Sequence, residues 1–185
     1  MTPRIRALSD EQAPAASAKI LDRVQDAIGM VPNLHRTLAH APAALNAYTA
    51  MAGALGTGAL DPQLRESIAL ATAAKNGCGY CASAHTLLGK GAGLDGEELT
   101  RNLAAESSEP ARAAALKFVE ELIARRGDVS DETLESVRRE GFSDEEIAEI
   151  VTHVGLNTFT NFFNNFAHTE IDFPVVELES ASTAS

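Results

Sequence analysis

The only two cysteines of the 185-residue chain stand three positions apart in Cys78-Gly79-Tyr80-Cys81, and His85 follows four positions after the second. If a helix begins near Cys78, positions 78, 81 and 85 fall at i, i+3 and i+7, and both sulfurs and the imidazole share one face. At the N-terminal end of such a helix, unpaired N–H groups and the positive end of the helix dipole favour a thiolate at Cys78. One turn later Cys81 and His85 can exchange a proton. The two thiols can then cycle between dithiol and disulfide.

Glu66 lies twelve residues before Cys78, about 18 Å along an unbroken helix, too far to join them. Asn76-Gly77 is a helix stop, and a chain that folds back there brings Glu66 level with about residue 87. A carboxylate in that place orients His85 and raises its basicity. Other readings of the four residues exist. Two cysteines on one helix face can be plain core packing, a lone glutamate is most often solvated, and two thiolates with one imidazole and one carboxylate are ligand types acceptable to Zn²⁺. A third class is a redox module that takes electrons from a partner's disulfide or lipoyl arm.

The positioning elements are helices. Asp61-Pro62 reads as N-cap and first helical residue of a helix with apolar positions Leu64, Ile68 and Ala71, ending at Asn76-Gly77. Ser9-Asp10-Glu11-Gln12 opens a helix to Ile28, stopped by Gly29, and short helices cover 34–39 and 43–55. Asp95, Ser108-Glu109-Pro110, Ser130 and Ser143-Asp144-Glu145-Glu146 start four more, the last a long one to about Ala167. Leu116, Val119, Leu122 and Ile123 trace an apolar stripe. Alternation suited to a strand occurs only over 173–178, so the fold class is all-α, with a single domain over 1–176 and a disordered polar tail over 177–185.

Composition narrows the partners. With 26 acidic and 15 basic residues the net charge is −11, which repels nucleic acid and anionic lipid. No apolar run approaches the roughly 20 residues of a membrane span. Two cysteines so close cannot staple a fold, and no leader pattern is seen, so a cytoplasmic location is expected.

Glu66, Cys78-Gly79-Tyr80-Cys81 and His85 together resemble the E-x11-C-x-x-C-x3-H signature of the carboxymuconolactone decarboxylase-like superfamily, in its AhpD-like alkylhydroperoxidase branch. Met30-Val31-Pro32-Asn33-Leu34 and the segment from Thr169 to Pro174 resemble its peroxidase-related members, so the likeness runs over about residues 5–176. The resemblance implies an AhpD-like helical bundle, a homo-oligomer such as a trimer or hexamer, and reduction of organic hydroperoxides with no cofactor beyond a redox-active Cys78–Cys81 disulfide. It implies Cys81 as the peroxidatic thiol, Cys78 as the resolving one, Glu66 and His85 as the proton relay, and a lipoyl or thioredoxin-like dithiol as electron donor. Members that decarboxylate a lactone lack the cysteine pair. Where the best-known peroxidases carry a histidine before the second cysteine this chain has Tyr80, an auxiliary candidate that helical rotation makes a core or interface aromatic instead.

Three further expectations concern the rest of the chain. His35, His40 and His153 have no partner at ligand spacing and read as structural or surface residues. Phe159, Phe162, Phe163 and Phe166 read as core or subunit interface. A shift of 83 positions sets Asp61 on Asp144, Glu66 on Glu149 and His85 on His168, with Asn161 and Asn164 under the two cysteines, which suggests a degenerate internal two-repeat arrangement.

Overall fold

A computed structural model describes residues 2–178, and the start signals in the sequence become helix caps in it. Asp61, Asp95, Ser130 and Ser143 each accept the backbone N–H three residues on, at 3.0, 2.8, 3.3 and 3.2 Å. Each such cap contributes about 1 kcal/mol. The described residues form nine α-helices and no strand: α1 (Ala15–Ile28), α2 (Asn33–Leu38), α3 (Pro42–Leu55), α4 (Pro62–Lys75), α5 (Gly79–Gly91), α6 (Gly96–Leu103), α7 (Pro110–Ala124), α8 (Asp131–Arg139) and α9 (Asp144–Ala167). None of them is long and apolar enough to cross a membrane.

The all-α expectation holds, with three local differences. The Ser9 box opens only a single 3-10 turn, Asp10–Gln12, and α1 begins afresh at Ala15. Pro14, which has no N–H to donate, fits before the first turn of α1 and not inside a longer helix. The two-repeat arrangement is not built. A second copy of the α4–α5 pair needs a break near Phe159-Thr160, 83 residues after Asn76-Gly77, but α9 runs unbroken through those positions because they hold no glycine to leave the helix. Residues 173–178 are irregular, not a strand; Val176 packs on the core and so does Leu178, past the expected boundary at 176. The rest of the expected polar tail, 179–185, lies outside the described residues.

At the centre is α4, buried at every position from Ser67 to Ala73. Its small side chains (Ser67, Ala69, Ala71, Thr72, Ala73) let α5, α6, α7 and α9 all pack against it. On one side Leu64 and Ile68 meet Leu116, Val119, Val137, Ile150 and Val154; on the other Ala73 meets Ile20, Leu34, Leu38, Leu45, Tyr80 and both cysteines. Fully buried residues such as Leu45, Ile68 and Leu116 each contribute about 1.5–3 kcal/mol.

A buried polar staple holds the α6–α7 connection. Glu98 accepts from Ser107 Oγ, from Ser108 N and Oγ at 3.1 and 2.8 Å, from Asn102 Nδ2 at 3.2 Å and from Arg112 Nη1 at 3.2 Å. Burial alone would raise the Glu98 pKa, but the hydrogen bonds from Ser107, Ser108 and Asn102 hold it at about 2. A carboxyl group depressed in the folded state stabilises above its unfolded value, 4.5, and that stability is withdrawn as pH falls toward about 2. Glu98→Gln leaves the nearly buried Arg112 without its carboxylate and is expected to cost about 3–5 kcal/mol at pH 7. Urea denaturation at pH 7 and pH 3 checks this, with the gap between variant and wild type smaller at pH 3.

Candidate active site

Asn76-Gly77-Cys78 makes the chain reversal that builds the site. Gly77 adopts φ +62°, Gly77 N donates to Ala74 O at 3.1 Å and Cys78 N to Ala73 O at 2.8 Å, a complete Schellman closure of α4. Cys78 is at once the N-cap of α5, its Sγ accepting from Cys81 N at 3.3 Å. The two helices therefore run antiparallel with almost no connecting loop. A second glycine lets α6 close on α5: a Cβ on Gly89 would stand 2.7 Å from Leu99 Cδ2 and 3.2 Å from Leu94 Cδ1, while Glu66 Cβ on α4 lies at an ordinary contact distance of 3.7 Å.

This hairpin brings Glu66 and His85 together, Oε2 to Nδ1 at 2.8 Å. Burial would lower the His85 pKa, yet the Glu66 carboxylate, by charge and hydrogen bond, and the negative Cys81 together raise it. The thiols divide unequally. Both are free and buried. Cys81 is held below the ordinary thiol range by its hydrogen bond with Cys78, against the effect of burial, with help from the charge of His85 and the amide of Asn164. Cys78 is pushed up, by that same bond to Cys81 and then by burial. The expected preference for thiolate at Cys78 is thus corrected: the helix end is there, but the neighbouring donors converge on Cys81.

A cavity of about 640 Å³ opens over this face and is lined by Glu66, Cys81, His85 and Tyr80. Cys78 is not on its wall. The remaining lining is mostly apolar, including Met30, Leu34, Ala69, Leu88, Leu156 and Phe173. The two segments that carried the resemblance outside the motif meet here, since Asn33 N donates to Asp172 Oδ2 at 2.8 Å and Asn33 Nδ2 to Glu170 O at 3.0 Å. Tyr80 is a wall residue whose hydroxyl accepts from Leu34 N at 3.1 Å, with its ring edge-on to Phe173 at 5.6 Å. Burial pushes its pKa up.

Sequence reasoning missed part of the wall. His40 is exposed, its ring nitrogen on Arg6 O at 2.9 Å, as a structural residue would be. His35 and His153 instead line the cavity, with Tyr48. Burial, opposed by Asp172, lowers His35 to about 4, and burial followed by the Arg65 charge lowers His153, so both imidazoles face the cavity neutral at pH 7. Tyr48 rises to about 12, first through burial and then through the negative Cys81 and Glu66. These groups come from α2, α3 and α9, and no local motif announces them. The Zn²⁺ reading is not assembled either. Among the described residues no three His, Cys, Asp or Glu side chains are placed to hold a metal ion, and Glu66 spends its oxygen on His85.

The profile of the carboxymuconolactone decarboxylase family matches residues 42–121, the span that carries α3 to α6, most of α7 and the whole motif. A peroxidase-related protein with the AhpD core from Ralstonia eutropha superposes with a TM-score of 0.83 at 26% identity, over 92% of each chain. Over residues 42–121 the chain is similar to the carboxymuconolactone decarboxylase family, and its all-helical fold is AhpD-like. A second peroxidase-related protein, from a Silicibacter species, shares the fold at a TM-score of 0.78 and 24% identity over 92% of this chain and 94% of its own. A cysteine-to-alanine variant of the debrominase Bmp8, in complex with 2,3,4-tribromopyrrole, also has this AhpD-like fold, at 0.78 and 19% over 93% of each chain. No curated protein matches the sequence.

Proposed function

We propose that the protein is a thiol-dependent peroxidase that reduces organic hydroperoxides through Cys81 and Cys78. The observation that carries this reading is the asymmetric thiol pair: Cys81, of lowered pKa, on the cavity wall beside the Glu66–His85 hydrogen bond, and Cys78 behind it. The Cys81 thiolate attacks the terminal oxygen of the hydroperoxide; the S–O bond forms, the O–O bond breaks, and the departing alkoxide takes the proton held on His85. Cys78 then attacks the Cys81 sulfenic acid, the S–S bond forms and the S–O bond breaks. The leaving hydroxide takes the Cys78 proton as water. An external dithiol of the lipoyl or thioredoxin-like class returns the disulfide to two thiols. In this scheme Tyr80 shapes the cavity and moves no proton: burial pushes its pKa up, and its oxygen is aimed at α2, where it accepts from Leu34 N.

The apolar lining favours an alkyl or aryl hydroperoxide over hydrogen peroxide, since most of the wall offers contact area and not hydrogen bonds. The test is steady-state consumption of cumene hydroperoxide with lipoamide or thioredoxin as donor, beside direct reduction of insulin. Peroxide consumption well above that of free thiol supports the reading. Insulin or lipoamide turnover without it moves the protein to the class of electron-transfer modules.

The same reading includes a homo-oligomer. Phe159, Phe162 and Phe166 are 42, 61 and 57% exposed along α9, while Phe163 turns inward, so the core expectation fails for three of the four and the interface one remains. Ile28, Leu87 and Leu88, at the rim of the cavity, are also exposed. Apolar side chains in such a number suit a second copy. Sedimentation of a dilute sample is expected to give a species well above the 19.5 kDa of one chain; a monomer would reject the oligomer.

A further inference from the structure

The reactive sulfur has one neighbour that neither the motif nor the cavity explains. Asn164, on α9, is 3% exposed, and its Nδ2 donates to Cys81 Sγ at 3.3 Å. Its Oδ1 is buried with no hydrogen-bond partner among the described residues. One turn earlier Asn161 is fully buried, with Oδ1 accepting from Asn76 Nδ2 at 3.0 Å and Nδ2 unpartnered. Each buried polar group left unmatched costs about 1–3 kcal/mol. A leucine in either place would avoid that cost, so packing does not account for two asparagines on the buried face of a phenylalanine-rich helix.

We propose that Asn164 is a catalytic residue of the thiol site, which stabilises Cys81 as the thiolate through Nδ2 and accepts, through Oδ1, the hydroxyl of the sulfenic acid formed when that thiolate is oxidised. The second half rests on the peroxidase reading; the first stands without it. An amide suits both tasks, because it is neutral and carries a donor and an acceptor side by side. In the reduced state the donor is used and the acceptor waits. When the thiolate gains oxygen from the hydroperoxide, the new S–O–H group supplies the one partner that Oδ1 lacks. The lowered pKa of Cys81, due first to Cys78 and in part to Asn164, runs in the same direction. The titratable groups around this sulfur are Cys78, Tyr80 and His85 on α5 and at its cap, Glu66 on α4, Tyr48 on α3 and His153 on α9. Replacing an uncharged Asn164 by another uncharged residue alters none of their charges directly.

The test reads the acidity of Cys81 without peroxide. In the Cys78→Ser protein Cys81 is the only thiol, and its rate of alkylation by iodoacetamide against pH gives the thiolate midpoint. Asn164→Ala and Asn164→Leu are expected to move that midpoint up by about one unit, a tenfold loss of thiolate on the acid side. An unmoved midpoint in variants with wild-type circular dichroism overturns the proposal. A second measurement leaves Asn164 in place: in Cys78→Ser protein labelled with ¹⁵N-asparagine, one side-chain amide should titrate with the Cys81 midpoint and cease to do so after Cys81→Ala. If no asparagine amide titrates, the proposal falls. For the second half, addition of cumene hydroperoxide to Cys78→Ser/Asn164→Ala should shorten the life of the sulfenic acid, seen by mass spectrometry as faster passage to sulfinic acid. An unchanged lifetime removes the role of Oδ1. If no sulfenic acid forms even with Asn164 present, the peroxidase reading fails, while a shifted alkylation midpoint still establishes the donor.

Discussion

Cys81→Ser is expected to abolish hydroperoxide turnover, and Cys78→Ser to consume about one equivalent and then stop at a sulfenic acid. The asymmetry follows from position and charge. Only Cys81 reaches the cavity wall, and only its pKa is lowered, so only it presents a thiolate to an entering O–O bond. Cys78 is fully buried and pushed up; it has neither access nor charge for the first step, but it is one helical turn from the sulfur it must capture. Serine at 78 preserves the cap to Cys81 N, so the first step survives. Rapid mixing of each variant with cumene hydroperoxide, followed by trapping with a sulfenic-acid reagent and mass spectrometry, checks the order. An adduct on Cys78 in the Cys81→Ser protein would reverse the roles. Consumption no faster than free thiol in both variants would remove the chemistry altogether.

Glu66→Gln is expected to slow the reaction by about 10²-fold, the low end for loss of assisted proton transfer, without unfolding the protein. The amide can still accept or donate at 2.8 Å from His85 Nδ1, so the geometry is retained and the charge alone is lost. That charge is what raises His85 against burial. The stabilisation from a histidine raised in the folded state is fully present below its unfolded value and is lost as pH rises through the higher, folded one. The proton available to the leaving alkoxide follows the same curve. In the wild type, kcat/KM should therefore fall on its alkaline side at a pH above the ordinary histidine value, 6.5. In Glu66→Gln that limb moves toward acid. A pH profile of kcat/KM for the two proteins checks it, and an unmoved alkaline limb would show that Glu66 does not set the state of His85.

Most of the hairpin was legible in the sequence because its determinants are local. The Asp61-Pro62 cap, the Asn76-Gly77 stop and the Cys78 start lie within one stretch, and the antiparallel pairing of Glu66 with His85 follows from them by geometry. What was not legible depends on contacts between distant elements. His35, Tyr48 and His153 enter the wall from three other helices; the two histidines have no partner at ligand spacing, so the sequence alone marks them as structural or surface residues. Asn161 and Asn164 did leave a trace: amides three apart on a helix otherwise rich in phenylalanine are polar residues where a core face is expected. The shift of 83 residues that paired them with the cysteines was read as ancestry. In the structure the same separation is a contact, Asn164 Nδ2 on Cys81 Sγ. The 3-10 turn at Asp10–Gln12 was missed for a simpler reason, since a capping box signals a helix start and not its length.

The Schellman closure at Gly77 also bears on the order in which the thiol site assembles as the chain folds. The Glu66–His85 bond closes a segment of 19 residues, whereas the Asn164–Cys81 bond spans 83. Loop-closure entropy grows with separation, so local contacts are favoured to form first and distant ones to wait for the elements between them. The α4–α5 hairpin can thus pair its carboxylate and imidazole while α9 is still being made or is undocked. Cys81 meets its last hydrogen-bond donor only when α9 closes over it. A chain in mid-synthesis therefore carries its two cysteines in a less activated form, and the full reactivity of the thiol arrives together with the finished tertiary structure that shelters it.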